Sequence, residues 1–419
     1  MRGILQRVAK LRGSDSRGAE PAKVRSACVR LAALSVAGLT LALASGCGGG
    51  EESKPAKLSE QQLIKTLTPS VVRIQGTTGG GSGVVIDASK GLVLTNYHVI
   101  AANTALKAQV GNETNSSTPV QVVAVSPCDD LALVKLTDRV PNLHAASFGN
   151  SAKVVPGDPV TSLGFPASSQ SGPGASGLVG QSSTVVANTG TVSQASISVN
   201  TNEADANFDP ASPPYPSMIA HNATINPGNS GGPLVNDEGK VIGINTLSLN
   251  NSQGTFYSIT SEYAQRVLPR LESGESIGYV GWNLAPLITS NNTELQKELE
   301  EYAQSSGFAK VGKQLSELNV KFLETVHGDG LFDKIDDAGS PAEHSRLEGQ
   351  EILAINKTPV HSINQMCSIV SSASPGTALQ LDLYNIQRGS KPEEVSGYLW
   401  SQHKEPGEYT YTNEVKVAK

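Results

Sequence analysis

Aromatic side chains are scarce in this 419-residue chain, at 5%, and charged ones reach only 17%. With no repeat and no run of like charge, that profile excludes a disordered polyelectrolyte and a fibrous array. Few aromatics beside 42 glycines, with abundant Ser, Thr and Asn, argue against a helical bundle and for many short strands joined by tight turns. Cysteine is nearly missing. The four present, Cys28, Cys47, Cys128 and Cys367, form no C-x-x-C pair, which excludes the usual zinc spacing. Glu298, Glu300 and Glu301 read as a solvated helix face, so neither metal nor cofactor is expected. Cys128 and Cys367 fall in separate parts of the chain, and buried free thiols are expected there rather than a disulfide. No basic patch interleaves with aromatics. Eight of the 32 Lys/Arg but only two of the 38 acids lie in residues 1–46, so the remainder is acidic and a nucleic-acid partner is excluded. Long apolar runs are also lacking. The longest without charge, Leu31–Ala44, has 14 residues, too few to span a bilayer.

That short run sits in a telling place. Basic residues from Arg2 to Arg30 precede it, and Ala44, Ser45, Gly46 and then Cys47 follow. The pattern resembles a bacterial lipoprotein signal, in which Cys47 becomes the lipidated mature N-terminus. An uncleaved N-terminal helix is the alternative. Either way the folded part is expected outside the cytoplasm, anchored to the bacterial cell membrane. Residues 1–46 then read as a signal peptide and 47–58 as a flexible tether.

Beyond the tether, Ser59-x-x-Gln62 is a capping box for a helix over Glu60–Leu67, which Pro69 stops. Short β-branched runs follow, among them SVVRIQG, GSGVVIDAS, GLVLTNYHVI, PVQVVAVSP and KVIGINTLSL. Their even spacing predicts a mainly β fold of two barrels over 59–272. Residues 167–180 and 194–217 read as long surface loops, the second as an insertion. EYAQRVLPRL, Glu262–Leu271, has helical spacing, with Pro269 expected to end the helix early. Past Ser273 the texture changes to a smaller unit, 276–392, with a helical insertion near 289–325 and a C-terminal tail over 393–419.

The sharpest motif is NPGNSGGPL, Asn226–Leu234. A serine nucleophile must sit exposed on a tight turn where backbone N–H groups converge on a developing oxyanion. Ser230 is the candidate nucleophile. Gly228, Asn229 and Ser230 form the candidate oxyanion loop, with the N–H groups of Gly228 and Ser230 as donors. His98, at the end of a strand-like run, is the candidate general base. Asp130 is the candidate acid that orients it: successive strand residues face opposite ways, so only one of Asp129 and Asp130 can meet His98. The order His98, Asp130, Ser230 is that of chymotrypsin-type enzymes rather than subtilisins or α/β-hydrolases. Thr224, Ile225, Asn226, Ile244, Asn245 and Thr246 are expected to line the substrate pocket. None is acidic, so small or medium apolar side chains are the expected preference. His144, His221, His327, His344, His361 and His403 have no partner pattern and read as surface or packing residues.

In order, GSGVVID, TNYHVI, DDLALVKL, SLGFP, TINPGNSGGPLVN and GKVIGINT resemble the HtrA (Do/Deg) family of bacterial extracytoplasmic serine proteases over Ser70–Leu268. Tyr97 stands where Asn is common in that family, and Asn222 where Asp is common. The resemblance implies a chymotrypsin-like double β-barrel, cleavage of unfolded or misfolded proteins, and a homotrimer. SPA-x4-L-x-G-Q-x-I-L-x-I-N followed by Pro375-Gly376 resembles a PDZ domain, so a smaller α+β PDZ-like domain is expected. It would capture peptide C-termini through a carboxylate loop at Tyr279, Val280, Gly281 and Trp282, with Trp282 bulkier than the family norm. A catalytically latent or inactive scaffold working through that domain, and a holdase chaperone, are the competing functions.

Overall fold

The computed structural model describes residues 57–77, 79–101, 103, 105–113, 117–167, 182–199, 212–248, 254–282, 284–286, 331–333, 340–345, 350–385 and 410–418. Cys47, the signal, most of the tether and the 289–325 insertion lie outside them, and among the described residues no helix is long and apolar enough to cross a membrane.

Helix α1 (Glu60–Leu67) starts where the capping box places it. The Gln62 N–H donates to Ser59 Oγ at 3.4 Å, and the Ser59 N–H donates to Gln62 Oε1 at 2.9 Å. Strands β1 (Val71–Gln75), β2 (Gly80–Asp87), β3 (Leu92–Thr95), β4 (Lys107–Val110), β5 (Thr118–Ser126) and β6 (Leu131–Leu136) close an antiparallel barrel in the order β1-β2-β3-β6-β5-β4. Strands β7 (Pro159–Gly164), β8 (Val186–Val199), β9 (Tyr215–His221), β10 (Pro233–Asn236), β11 (Val241–Ser248) and β12 (Phe256–Thr260) close a second, in the order β10-β11-β12-β9-β8-β7. The expected double barrel is therefore present. Both barrels send apolar side chains inward, and Leu94, Leu131, Leu133, Leu163, Phe165 and Ile244 are fully buried.

Three expectations need correction here. The stretch 194–217 is not one loop: residues to Val199 continue β8, Tyr215 opens β9, and Val199 pairs with Tyr215. Polar alternation hid the strand, because β8 is exposed along much of one face. Pro269 does not cut its helix short. α3 runs from Ser261 to Glu272, and Ala264, Val267, Leu268 and Leu271 bury one stripe at i, i+3, i+4 and i+7. Burial of each large member contributes about 1.5–3 kcal/mol, which offsets the hydrogen bond proline removes in the last turn. The end itself is a Schellman cap: Gly274 has φ +83°, its N–H reaches Leu271 O, and the Glu275 N–H reaches Arg270 O. The third correction concerns the tail, which contributes β18 (Thr410–Lys416) to the last sheet.

That sheet joins β13 (Leu284–Pro286), β14 (Leu331–Asp333), β15 (Gln350–Ile355), β17 (Ala378–Asn385) and β18 in this order, with β16 (Thr358–Pro359) paired to β15. Helices α4 (Pro341–Ser345) and α5 (Ile363–Val370) accompany it, and α5 is capped by Ser362 Oγ. It is fastened to the first barrel. The Ile277 N–H donates to Val125 O at 2.8 Å, and the Val125 N–H donates to Ser276 Oγ at 3.1 Å. A disulfide joins Cys128 to Cys367 of α5 across 239 positions. Free thiols were the wrong expectation, because distance in sequence says nothing of distance in the fold: the Cα atoms lie 5.5 Å apart.

Candidate active site

His98 does not end a strand. β3 stops at Thr95, and His98 sits in the one-turn helix α2 (Tyr97–Ile100). The Asn96 side chain does not cap that turn. Its Nδ2 donates instead to Asp130 O at 2.8 Å and to Thr246 Oγ1 at 2.9 Å. The cap comes from Asp130, whose Oδ1 accepts the His98 backbone N–H at 3.0 Å. The same carboxylate faces the ring, with His98 Nδ1 at 3.0 Å from Oδ1 and 2.9 Å from Oδ2. An ionised carboxylate can only accept, so Nδ1 carries the hydrogen and Nε2 is left basic. Asp130 is 2% exposed, whereas the His98 side chain is 47% exposed, so only the imidazole faces the cleft.

Strand alternation is not what separates Asp130 from Asp129. Pro127–Asp129 is a 3-10 turn, and Asp130 follows it in the left-handed region at φ +49°. The turn sends Asp129 the other way, to Ser126 Oγ and the Tyr263 hydroxyl. Burial first, and then Asp129, pushes the Tyr263 hydroxyl well above the usual tyrosine range. Tyr215 escaped the sequence reading. Its hydroxyl donates to Asp130 Oδ2 at 3.1 Å from the opposite barrel, and its ring is 2% exposed. The only signal was YPSMIAH, whose first three residues fell at the end of the stretch read as loop.

The serine turn hangs between the barrels. Asn226–Asn229 is closed by the Asn229 N–H on Asn226 O at 2.9 Å, with Gly228 at φ +97°. Positive φ at the third residue makes this a type II turn, which requires glycine there. A Cβ on Gly228 would stand 2.4 Å from Phe165 O. The Pro227–Gly228 peptide has a fixed direction, because Pro227 O accepts the Ala167 N–H at 2.7 Å. In a trans peptide the Gly228 N–H then points to the opposite side. The Asn229 N–H is spent within the turn, so of the three oxyanion-loop residues only Gly228 and Ser230 remain as donor candidates. Ser82 of β2 fastens the turn from the first barrel: its Oγ donates to Gly228 O at 2.7 Å and accepts the Phe165 N–H at 2.9 Å, while its N–H reaches Ser230 O at 2.8 Å. On the far side the Gly231 N–H reaches Asn245 O, and the Asn245 N–H reaches Gly232 O. Ser230 Oγ donates to Thr246 O at 3.3 Å.

The expected pocket is only partly there. Ile244 is fully buried in the main core, and the Asn245 side chain turns inward to Leu163 O, Pro233 O and Ser258 Oγ. Both are 0% exposed, on opposite faces of β11, so neither side chain offers surface to a substrate. Ile225 is buried as well, and Thr246 Oγ1 is held by Asn96 and Ile244 O. Thr224 and Asn226 keep exposed surface. His221 packs inside the second barrel with Nε2 at 2.9 Å from Ser258 Oγ, and desolvation pushes its pKa down to about 4. In the small unit, Val280 and Trp282 are buried within its own core, and Gly281 has φ +89°. The carbonyls of Tyr279 and Val280 accept the N–H groups of Ala418 and Ala342. Tyr279 also meets Tyr97, beside His98, ring edge to face at 6.3 Å. Among the described residues no group of three or more His, Cys, Asp or Glu could hold a metal ion.

A trypsin-like peptidase domain matches residues 81–244. A probable periplasmic DegP-like serine endoprotease of Chlamydia muridarum is 28% identical over 307 residues, which are 72% of this chain and 50% of that protein. Serine protease PepD of Mycobacterium tuberculosis is 26% identical over 409 residues, 90% of this chain and 76% of that one. The putative serine protease HhoA of Synechocystis is 29% identical over 78% of this chain and 73% of its own length. This chain spans about half the length of the first curated relatives it matches. Among solved structures, the HtrA-type protease AlgW with a tripeptide aligns over 86% of this chain and 96% of its own, at 24% identity and a TM-score of 0.42. The chain therefore carries a trypsin-like peptidase domain and is similar to HtrA-type serine proteases.

Proposed function

We propose that the chain is an extracytoplasmic serine endopeptidase that cleaves unfolded or misfolded proteins through an acyl-enzyme. Ser230 Oγ attacks the scissile carbonyl, His98 Nε2 takes its proton and later protonates the leaving amine, and Asp130 holds the imidazole in the required tautomer. The Gly228 and Ser230 N–H groups stabilise the oxyanion. One observation carries the reading: the buried Asp130 carboxylate grips His98 Nδ1 at 2.9 Å, beside a glycine-dependent turn that presents Ser230. The Ser230 hydroxyl donates to Thr246 O at 3.3 Å, a long bond that it must give up for His98 before attack. Thr224 and Asn226 place no acid in the cleft, which favours small or medium apolar side chains before the cut.

Location outside the cytoplasm draws support from the Cys128–Cys367 bridge, since disulfides persist mainly in oxidising compartments. We assign membrane attachment to a lipid on Cys47, peptide binding to the loop at Tyr279–Trp282 of the PDZ-like unit, and trimer formation to the family resemblance. A latent resting state is the second reading, favoured by the Ser230 hydroxyl resting on Thr246 O. The test is degradation of casein by the full chain. Cleavage should fall at least about 10⁴-fold in Ser230→Ala. Degradation that survives Ser230→Ala would sink the mechanism.

A further inference from the structure

We propose that Tyr215 is a positioning residue for the His98–Asp130 pair, supplied to the first barrel's acid by the second barrel. The inference rests on the endopeptidase reading for its kinetic consequence but not for its geometry. Asp130 starts from an awkward place: its backbone is left-handed at φ +49°, a region non-glycine residues seldom occupy and that costs free energy unless the surroundings hold it. The direction of its carboxylate must therefore be fixed by contacts. Among the described residues those contacts come from two sources. His98 places its backbone N–H on Oδ1 at 3.0 Å and its Nδ1–H within reach of both oxygens. Tyr215 places its hydroxyl on Oδ2 at 3.1 Å.

The two His98 donors move together with α2, so they cannot by themselves resist rotation of the carboxylate with the ring. The Tyr215 hydroxyl is the independent point of support. It arrives from β9, and its ring is locked in the main hydrophobic core with Tyr215 and Asp130 each 2% exposed. Thr246, the nearby polar side chain of β11, is not a substitute: its hydroxyl donates to Ile244 O at 3.3 Å and accepts from Asn96. The hydrogen bond from Tyr215 also draws charge from Oδ2, which tunes how strongly the carboxylate pulls on the Nδ1 proton.

The experiment removes one oxygen and keeps the ring. In the full chain, Tyr215→Phe should lower kcat on casein about tenfold with KM changed less than about twofold, the pattern of an interaction needed in the transition state. The downfield proton resonance of His98 Nδ1, followed in a Ser230→Ala background and assigned with His98→Gln, should shift when Tyr215→Phe is added, while the melting temperature stays put. An unmoved resonance with unmoved kcat overturns the proposal. So does a kcat loss that tracks a lowered melting temperature with the resonance unmoved, since that marks a purely structural tyrosine. If the wild-type chain cleaves nothing, the endopeptidase reading fails, and the Nδ1 resonance still decides the role of Tyr215.

Discussion

Replacing Cys128 and Cys367 together by alanine opens a loop of 239 positions. On the chain-entropy account the closed loop restricts the unfolded state by about 5.5 kcal/mol at 25 °C. Loss of native disulfides costs about 2–5 kcal/mol in practice, because real denatured chains are more compact than the ideal coil, so a loss in that range is expected. The form of the loss is as telling as its size. Beside the bridge, the Ile277–Val125 and Ser276–Val125 hydrogen bonds and the Tyr97–Tyr279 edge contact cross the same junction, and none of them is covalent. Without the bridge the small unit should melt separately. Urea unfolding followed by tryptophan fluorescence, with Trp282 buried in that unit, and by circular dichroism should give one transition for the oxidised protein and two for the double variant. Alkylation before reduction should leave both cysteines unlabelled. Rapid labelling of both in the native, unreduced protein, or an unchanged midpoint in the double variant, would refute the reasoning.

Two further predictions follow from the site and its scaffold. Burial holds the pKa of His221 at about 4 against 6.5 for the free side chain. Below pH 6.5 the unfolded chain binds a proton that the folded chain refuses until about pH 4, so this contribution is complete above pH 6.5 and is lost as the pH falls, up to roughly 3 kcal/mol. Melting temperatures recorded from pH 7 to 4.5 should fall less steeply in His221→Gln than in the parent; parallel curves would count against it. Gly228→Ala must carry a side chain at φ +97° and meet Phe165 O, so the turn has to change type. Casein cleavage should drop at least about 10²-fold, as when an oxyanion donor is lost, and near-normal turnover would contradict the assigned turn.

The legible parts of this chain were those decided locally. The capping box at Ser59 and Gln62 and the glycine demand at Gly228 each depend on neighbours within a few residues, and both occur where the sequence placed them. The double barrel was legible from strand spacing. What escaped was decided at a distance. The Cys128–Cys367 bridge and the Tyr215–Asp130 bond join segments 239 and 85 positions apart, and no spacing rule reports such meetings. The inward turn of Asn245 was hidden for another reason: its amide is satisfied by buried carbonyls, so a polar residue behaves as core. Asp130 meets His98 for a reason other than the expected one, since a 3-10 turn separates it from Asp129 where a strand was assumed.

Ser82 gives the serine turn a dependence in time as well as in space. The bonds of His98 itself to Asp130, from its backbone N–H and from Nδ1, lie within the first barrel. Ser230 comes a hundred positions later, and its turn leans on Ser82 from one side and Asn245 from the other. A chain emerging N-terminus first thus carries a base and its acid long before it has a placed nucleophile. The last support arrives only when β11 docks. On the endopeptidase reading, a half-made or unfolded copy has no placed nucleophile until both barrels have closed on each other, so completion of folding itself serves as the safety catch.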